Sequence, residues 1–216
     1  MTYSGHVDPG GAAAVRELTD LIITKQSVGR MDNNAYLLRC RITGAQLLID
    51  AAAEPKKLLA LVGPRDLSTV VTTHQHYDHW YALEDVLDAT GAQSLAHALD
   101  AGELPQVDQT VDDGQTIRVG EVPLEVVHLV GHTPGSIALL YRDPGGFPHL
   151  FTGDSLFPGG VGKTNSPEQF TSLLGDVTAK LFDKLPDETW FYPGHGDDST
   201  LGAERPALDE WRARGW

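Results

Sequence analysis

An α/β architecture of mixed sheets covered by helices is the fold class that this sequence predicts. Three observations carry it. Apolar, β-branched runs of strand length recur along the chain. Most are joined in pairs by short turns, as in hairpins, and fewer by helices, as in parallel crossovers. The segments between them show helical spacing and helix stop signals.

The elements follow in order. NNAYLLRC (33–40) and AQLLID (45–50) flank RITG and read as a β-hairpin. EPKKLLALVG (54–63) has helical spacing and ends on glycine. LSTVVTTH (67–74) reads as a buried strand, and DHWYALEDVLDATG (78–91) as a helix stopped by Gly91. QTIRV (115–119) and LEVVHLV (124–130) read as strands around GEVP. GSIALLYRD (135–143) and HLFTGD (149–154) are two more, joined across PGGFP. PEQFTSLLGDVTAKLFDKL (167–185) has helical periodicity, with Ser166 as its N-cap. TWFYPGHG (189–196) is a strand running into a glycine-rich turn, and a short helix is expected over 205–214. No linker or repeat interrupts the pattern, so a single domain over 1–216 is expected.

Composition narrows the function. The chain has 216 residues, 41% hydrophobic and 21% charged, enough for one sizeable core. Its formal net charge of −14 argues against nucleic acid as a partner, which needs a basic face. No run approaches the roughly 18 apolar residues of a membrane span, and the first residues hold no signal peptide. Cys40 is the only cysteine, so no internal disulfide forms; it reads as a small apolar residue on a strand. A cytoplasmic protein acting on a small molecule fits these bounds.

Chemistry concentrates in THQHYDHW (73–80), which follows an apolar strand with three histidines and an aspartate within six positions. In extended backbone, His74, His76 and Asp78 project to one side, and His79 follows at the turn. Imidazole and carboxylate are the usual ligands of zinc, iron and manganese. The competing reading is a polar loop of unrelated side chains. Three later strand ends each add one such residue: His132 in VGHTPGS, Asp154 in FTGDSLF and His195 in YPGHGD. Five of the nine histidines fall in these motifs. His6, His97, His128 and His149 are expected to lie outside the site.

HQHYDH, GHTPGS, TGDSLF and PGHG, in this order and spacing, resemble the metallo-β-lactamase superfamily over about residues 20–200. The resemblance implies a four-layer αβ/βα sandwich with metal ions at one edge. By it, His74, His76 and His132 bind a first ion, Asp78, His79 and His195 a second, and Asp154 bridges the two. Two divalent ions are implied, zinc foremost, with iron or manganese as alternatives. Two cations roughly 3.5 Å apart can share a hydroxide and lower its pKa toward neutrality. Asp78 would also orient that nucleophile. Asp50 would support the ligands from behind, or else simply end a strand. PGGVGKT (158–164) has Phe157 where a P-loop needs its first glycine. In the superfamily such a stretch lies at the substrate mouth, so Lys163 is either an anchor for a substrate carboxylate or a solvated lysine.

Within the superfamily, Asp154 stands where β-lactamases use cysteine or serine, which weighs against antibiotic hydrolysis. The full ligand set and GVGKT resemble glyoxalase II, a hydrolase of glutathione thioesters, so hydrolysis of a small ester or thioester is expected. Glyoxalase II carries a further C-terminal helical domain, whereas this sequence stops soon after His195; its absence is expected and leaves the thiol carrier open. The alternative is a persulfide dioxygenase, with one iron held by His74, His132 and Asp154. Lactonases and phosphodiesterases of the superfamily are further options.

Overall fold

The computed structural model describes residues 3–215. Four strands open it as an antiparallel meander: β1 (Ala14–Glu17), β2 (Leu21–Val28), β3 (Asn33–Cys40) and β4 (Gln46–Ile49). Helix α1 (Pro55–Val62) carries the chain to β5 (Leu67–Val71), parallel to β4. Helix α2 (Leu83–Thr90) leads to β6 (Gln93–His97), and β7 (Gln109–Val111) completes a seven-stranded mixed sheet. The second sheet is built from β8 (Thr116–Val119), β9 (Val122–His128), β10 (Ile137–Arg142) and β11 (Pro148–Gly153), all antiparallel. A small hairpin, β12 (Leu156–Phe157) with β13 (Gly160–Val161), and helix α3 (Pro167–Asp176) follow. Then β14 (Trp190–Pro193) pairs parallel to β11 and β15 (Ser199–Thr200) pairs with β14, before α4 (Leu201–Glu204) and α5 (Leu208–Arg214).

Side chains alternate along each strand between two cores. On β3, Tyr36, Leu38 and Cys40 face the second sheet, among Ile23, Phe151 and Tyr192. Ala35 and Leu37 face the other way, toward Leu58 of α1 and Leu83 and Val86 of α2. On β10, Ile137, Leu139 and Tyr141 share the central core. Ala138 and Leu140 pack outward with Phe170 and Leu173 of α3 and Trp211 of α5. The result is helices, sheet, sheet, helices: the four layers expected. Burial on both faces is why AYLL of β3 and the Val70–Val71 pair of β5 are apolar without alternation. Leu38, Leu47 and Phe151 are fully buried, each contributing about 2 kcal/mol relative to exposure. That packing fixes the sheets against each other, and with them the loops at their common edge.

Several elements differ from expectation. The helix read at 78–91 begins only at Leu83; Tyr77–His79 form a single 3₁₀ turn. Trp80 leaves helical space at φ −139°, and its indole N–H donates back to the Gln75 carbonyl (2.8 Å). Gly91 ends α2 in the left-handed region, as read. Ser166 caps α3, its hydroxyl accepting from the Gln169 N–H (3.2 Å), but the helix widens into a π-type turn over Val177–Phe182. The C-terminal helix is broken by a 3₁₀ turn at Arg205–Ala207, where Pro206 lacks an N–H, and resumes as α5. Strands β1, β2, β6 and β7, and the two-residue strands β12, β13 and β15, have no counterpart in the sequence reading. In β2 the reason is Lys25, a fully buried cation in the middle of LIITKQSV. Its Nζ donates to the Gly5 and Gly196 carbonyls and to Asp198 Oδ1, each at 2.7 Å. Among the described residues, no helix is long and apolar enough to cross a membrane.

His149 of β11 is buried, its Nδ1 hydrogen-bonded to the Tyr192 hydroxyl (2.8 Å). Burial first, and then the Arg16 charge, push its imidazole down to about 4. The unfolded chain therefore takes up a proton near pH 6.5 that the folded chain refuses. The stability this residue supplies is complete above pH 6.5 and is lost as pH falls toward 4, by up to about 3 kcal/mol. In urea denaturation, the stability gap between wild type and His149→Gln should shrink over that window. A gap that does not change with pH would contradict this.

Candidate metal centre

Every residue of the site sits where a strand gives way to a loop. Asp50 follows β4, and its backbone is left-handed (φ +57°), a conformation Asp tolerates better than most residues. The turn aims its carboxylate across to the next strand end. Oδ1 accepts the Thr73 N–H, and Oδ2 accepts the Thr73 hydroxyl and faces His79 Nδ1, all at 2.8 Å. β5 stops at Val71, so the loop and not the strand delivers His74 and His76, and the 3₁₀ turn delivers Asp78 and His79. His132 follows β9, Asp154 follows β11 and His195 follows β14.

All seven predicted side chains meet in one place. In each of three groups, His74/His76/His132, His74/His79/Asp154 and Asp78/His79/His195, one donor atom per residue lies within 4.8 Å of the others. Asp154 stands between the outer two groups. Its Oδ2 is 3.6 Å from His132 Nε2, 3.5 Å from His195 Nε2 and 4.0 Å from His74 Nε2, and its Oδ1 is 3.4 Å from His79 Nε2. Asp78 Oδ2 is 3.3 Å from His195 Nε2 and 3.6 Å from His79 Nε2.

The hydrogen bonds behind the rings decide which nitrogen faces inward. His132 Nδ1 meets the Lys163 carbonyl (2.7 Å) and His195 Nδ1 meets the Met31 carbonyl (2.8 Å). A carbonyl only accepts, so both Nδ1 atoms carry a proton and both Nε2 atoms face the site. Asp50 does the same for His79. Thr73 spends its hydroxyl proton on Asp50 and so accepts from His74 Nδ1 (3.1 Å). His74 Nε2, His132 Nε2 and Asp154 Oδ1 are buried without any hydrogen-bond partner. Orphaned buried polar atoms are rare and need an explanation. Here all three point into one space with lone pairs outward, and the nitrogen–oxygen donor set suits zinc, iron or manganese. The residues fit divalent metal.

Electrostatics agree. Burial, then the charge of His79, hold the His74 imidazole well below its ordinary value; burial also lowers His132. Burial would lower His79 too, but Asp154 and Asp50 hold it well above. Burial is likewise overcome at His195, where bonds to Asp154 and Asp78 raise it to about 10. Asp154 is held well below the carboxylate range despite burial, chiefly by His79 and His195, and Asp78 despite burial by His195 and Asn33. The cluster draws positive charge.

The other sequence candidates fall around this centre. Asp50 lies behind His79. Lys163 has an exposed side chain at the rim of a cleft of about 280 Å³, lined also by His132, Asp154, Phe157 and Gly160. β12 and β13, with Gly160 and Val161, form a wall of that cleft, not a phosphate loop. His6, His97, His128 and His149 appear in none of the three groups. Sequence reasoning missed Asn33 and Asn34. Asn33 Nδ2 donates to Asp78 Oδ2 (2.9 Å). Asn34 Nδ2 donates to the Pro193 and Gly196 carbonyls (2.9 Å each), and its N–H to Gly194 (2.7 Å). The pair pins the loop that carries His195; two amides opening an apolar strand were the available signal.

The family model described as Metallo-beta-lactamase superfamily matches residues 28–195. The chain belongs to this superfamily. A Rhodospirillum rubrum protein named hydroxyacylglutathione hydrolase is 36% identical over 165 residues, 76% of this chain and 62% of that protein. This chain thus spans less than two thirds of that relative's length. Among solved structures, ETHE1 from Myxococcus xanthus is 28% identical with TM-score 0.74, covering 85% of this chain and 81% of that one. TTHA1623, crystallised in a di-iron-bound form, is 30% identical with TM-score 0.69, covering 84% and 96%.

Gly194 shows how tightly the superfamily centre is packed here. A Cβ on it would overlap Asp154 Oδ1 and lie 2.7 Å from His79 Cε1. Gly194→Ala therefore displaces two members of the cluster without changing any of them. Its metal content, measured by elemental analysis after purification, should fall well below that of wild type. Retention of the full wild-type content would show that the loop has room the structure denies it.

Proposed function

We propose that this chain is a metal-dependent hydrolase acting on a small ester or thioester, in the manner of hydroxyacylglutathione hydrolases. One observation carries the reading: seven donors converge, and the bonds behind His74, His79, His132 and His195 occupy Nδ1 and turn each Nε2 toward the site. His74, His76 and His132 would hold one divalent ion, Asp78, His79 and His195 a second, and Asp154 both. Ions so held supply Lewis acidity and an acidified water as nucleophile. Asp78, whose Oδ2 accepts from the Asn33 amide and faces His79 and His195, would orient that water. Lys163 stands at the cleft rim, where its ammonium can attract a carboxylate carried by the substrate. Phe157 and the β12–β13 wall shield one side of the reacting carbonyl from solvent. The relatives named hydroxyacylglutathione hydrolase favour that substrate class.

A mononuclear iron dioxygenase acting on persulfides is the second reading. It is favoured by the subset His74, His132 and Asp154, which lie together, and by the likeness to ETHE1. It leaves Asp78, His79 and His195 without a task, which is why hydrolysis is preferred.

Purified protein should hydrolyse S-lactoylglutathione or a simple thioester, and carry two metal ions per chain. Asp154→Ala should lose most of its metal and about 100-fold or more in turnover, whereas His128→Ala keeps its metal. Oxygen consumption with a persulfide, one iron per chain and no thioester turnover would replace this reading with the second.

A further inference from the structure

Asp100 is absent from the seven, yet solvent reaches none of it. It follows β6 at the head of a 3₁₀ turn, Ala101–Glu103. Its carboxylate accepts three hydrogen bonds. Oδ2 takes the Gln75 N–H (2.9 Å) and the Thr133 hydroxyl (2.6 Å), and Oδ1 takes the Gly135 N–H (2.7 Å). Gln75 stands between His74 and His76, and Thr133 directly follows His132. One buried carboxylate thus ties together the two loops that carry the first trio.

The contact leaves no slack. A Cβ on Gly135 would lie 2.7 Å from Asp100 Cγ, so only glycine lets that N–H come close. Thr133 Oγ1 is also within 2.6 Å of Ser136 Oγ, which fixes its rotamer. All three donors are uncharged. Hydrogen bonds to a carboxylate are roughly twice as strong as neutral ones, and removing a partner from a buried charge is strongly unfavourable. Neither loop can shift without breaking one. In the second trio His79 leans directly on Asp50 and Asp78 on Asn33, whereas Asp50 reaches the first trio only at His74, through Thr73.

We propose that Asp100 is a positioning residue that holds His74, His76 and His132 in binding geometry before any ion arrives, and so sets the affinity of that half of the centre alone. This rests on the reading that the two trios hold ions. Removal of a supporting partner of this kind lowers metal affinity about 10–100-fold. In Asp100→Asn an NH₂ group replaces one acceptor and faces a donor.

The test is a calorimetric titration of metal-free protein with Zn²⁺. Wild type should show two classes of site, and His132→Ala identifies the first by its loss. Asp100→Asn should weaken that class about 10–100-fold and leave the other at its wild-type affinity. Thr133→Val, which removes a single hydrogen bond, should shift the same class less, and Thr133→Ser should restore it. Should Asp100→Asn not fold, the two Thr133 variants decide. Equal weakening of both classes, or of neither, overturns the inference. Wild type that takes up no Zn²⁺ overturns the metal reading and this inference with it; wild type that binds two ions beside an unaffected Asp100→Asn overturns this inference only.

Discussion

Asp154 is a nearly buried carboxylate surrounded by four imidazoles, and its charge has to be balanced on the spot. Leaving a buried charge uncompensated is among the most unfavourable arrangements a protein can hold. Protons on His79 and His195 can supply the balance, and the raised affinity of those rings for protons reflects it. Divalent cations meet the same demand without needing a proton on any Nε2. The Nδ1 positions are already committed to Asp50, Thr73, Lys163 and Met31. Metal and proton therefore compete for the same lone pairs, and burial at His74 and His132 tilts those two against the proton.

Such an arrangement is tolerable only on a scaffold that cannot relax. The two sheets supply it by packing Leu38, Leu47, Phe151 and Tyr192 into one dry layer. Strand ends then arrive at the shared edge with little freedom, and polar clamps remove the rest. Asn34 and Tyr36 take hold of the Pro193 carbonyl, and Lys25 and Asn34 of the Gly196 carbonyl, on either side of His195. Strain is concentrated here as well: Asp50 is one of three non-glycine residues with positive φ among those described. Its backbone gives up a relaxed conformation so that one carboxylate can serve Thr73 and His79 together.

How much of this was legible in the sequence depended on range. The seven inward-facing residues stood out because histidine is scarce and four of the seven lie within six positions, with the others marking strand ends. Strands of apolar residues were equally plain wherever both faces are buried, as in β3 and β10. Lys25 concealed β2, since a buried cation looks like a break in an apolar run until its three acceptors are known. Asn33 and Asp100 were hidden for the same reason. An amide before an apolar strand and an aspartate in AHALDAGELP have no meaning by spacing; their partners lie 45 and 33 residues away. The late start of α2 was illegible because helical periodicity runs through DHWYAL while the turn there answers to the geometry of His79.

The acidity of the chain bears on what the site can admit. A net charge of −14 repels anions at long range. Asp50, Asp78 and Asp154 would deepen that repulsion at the centre if nothing opposed them. Two divalent ions held as proposed would outweigh three carboxylates, and Lys163 adds a further positive charge at the rim of the cleft. A small acid or a thioester bearing carboxylates would then meet one favourable spot on an otherwise repelling surface. Screening over about 8 Å at physiological salt confines the repulsion to close approach. A polyanion such as nucleic acid spans far more than that spot and would lay most of its charge against acidic surface. On the proposed reading, the same charge balance that draws metal to Asp154 would favour small anions over large ones.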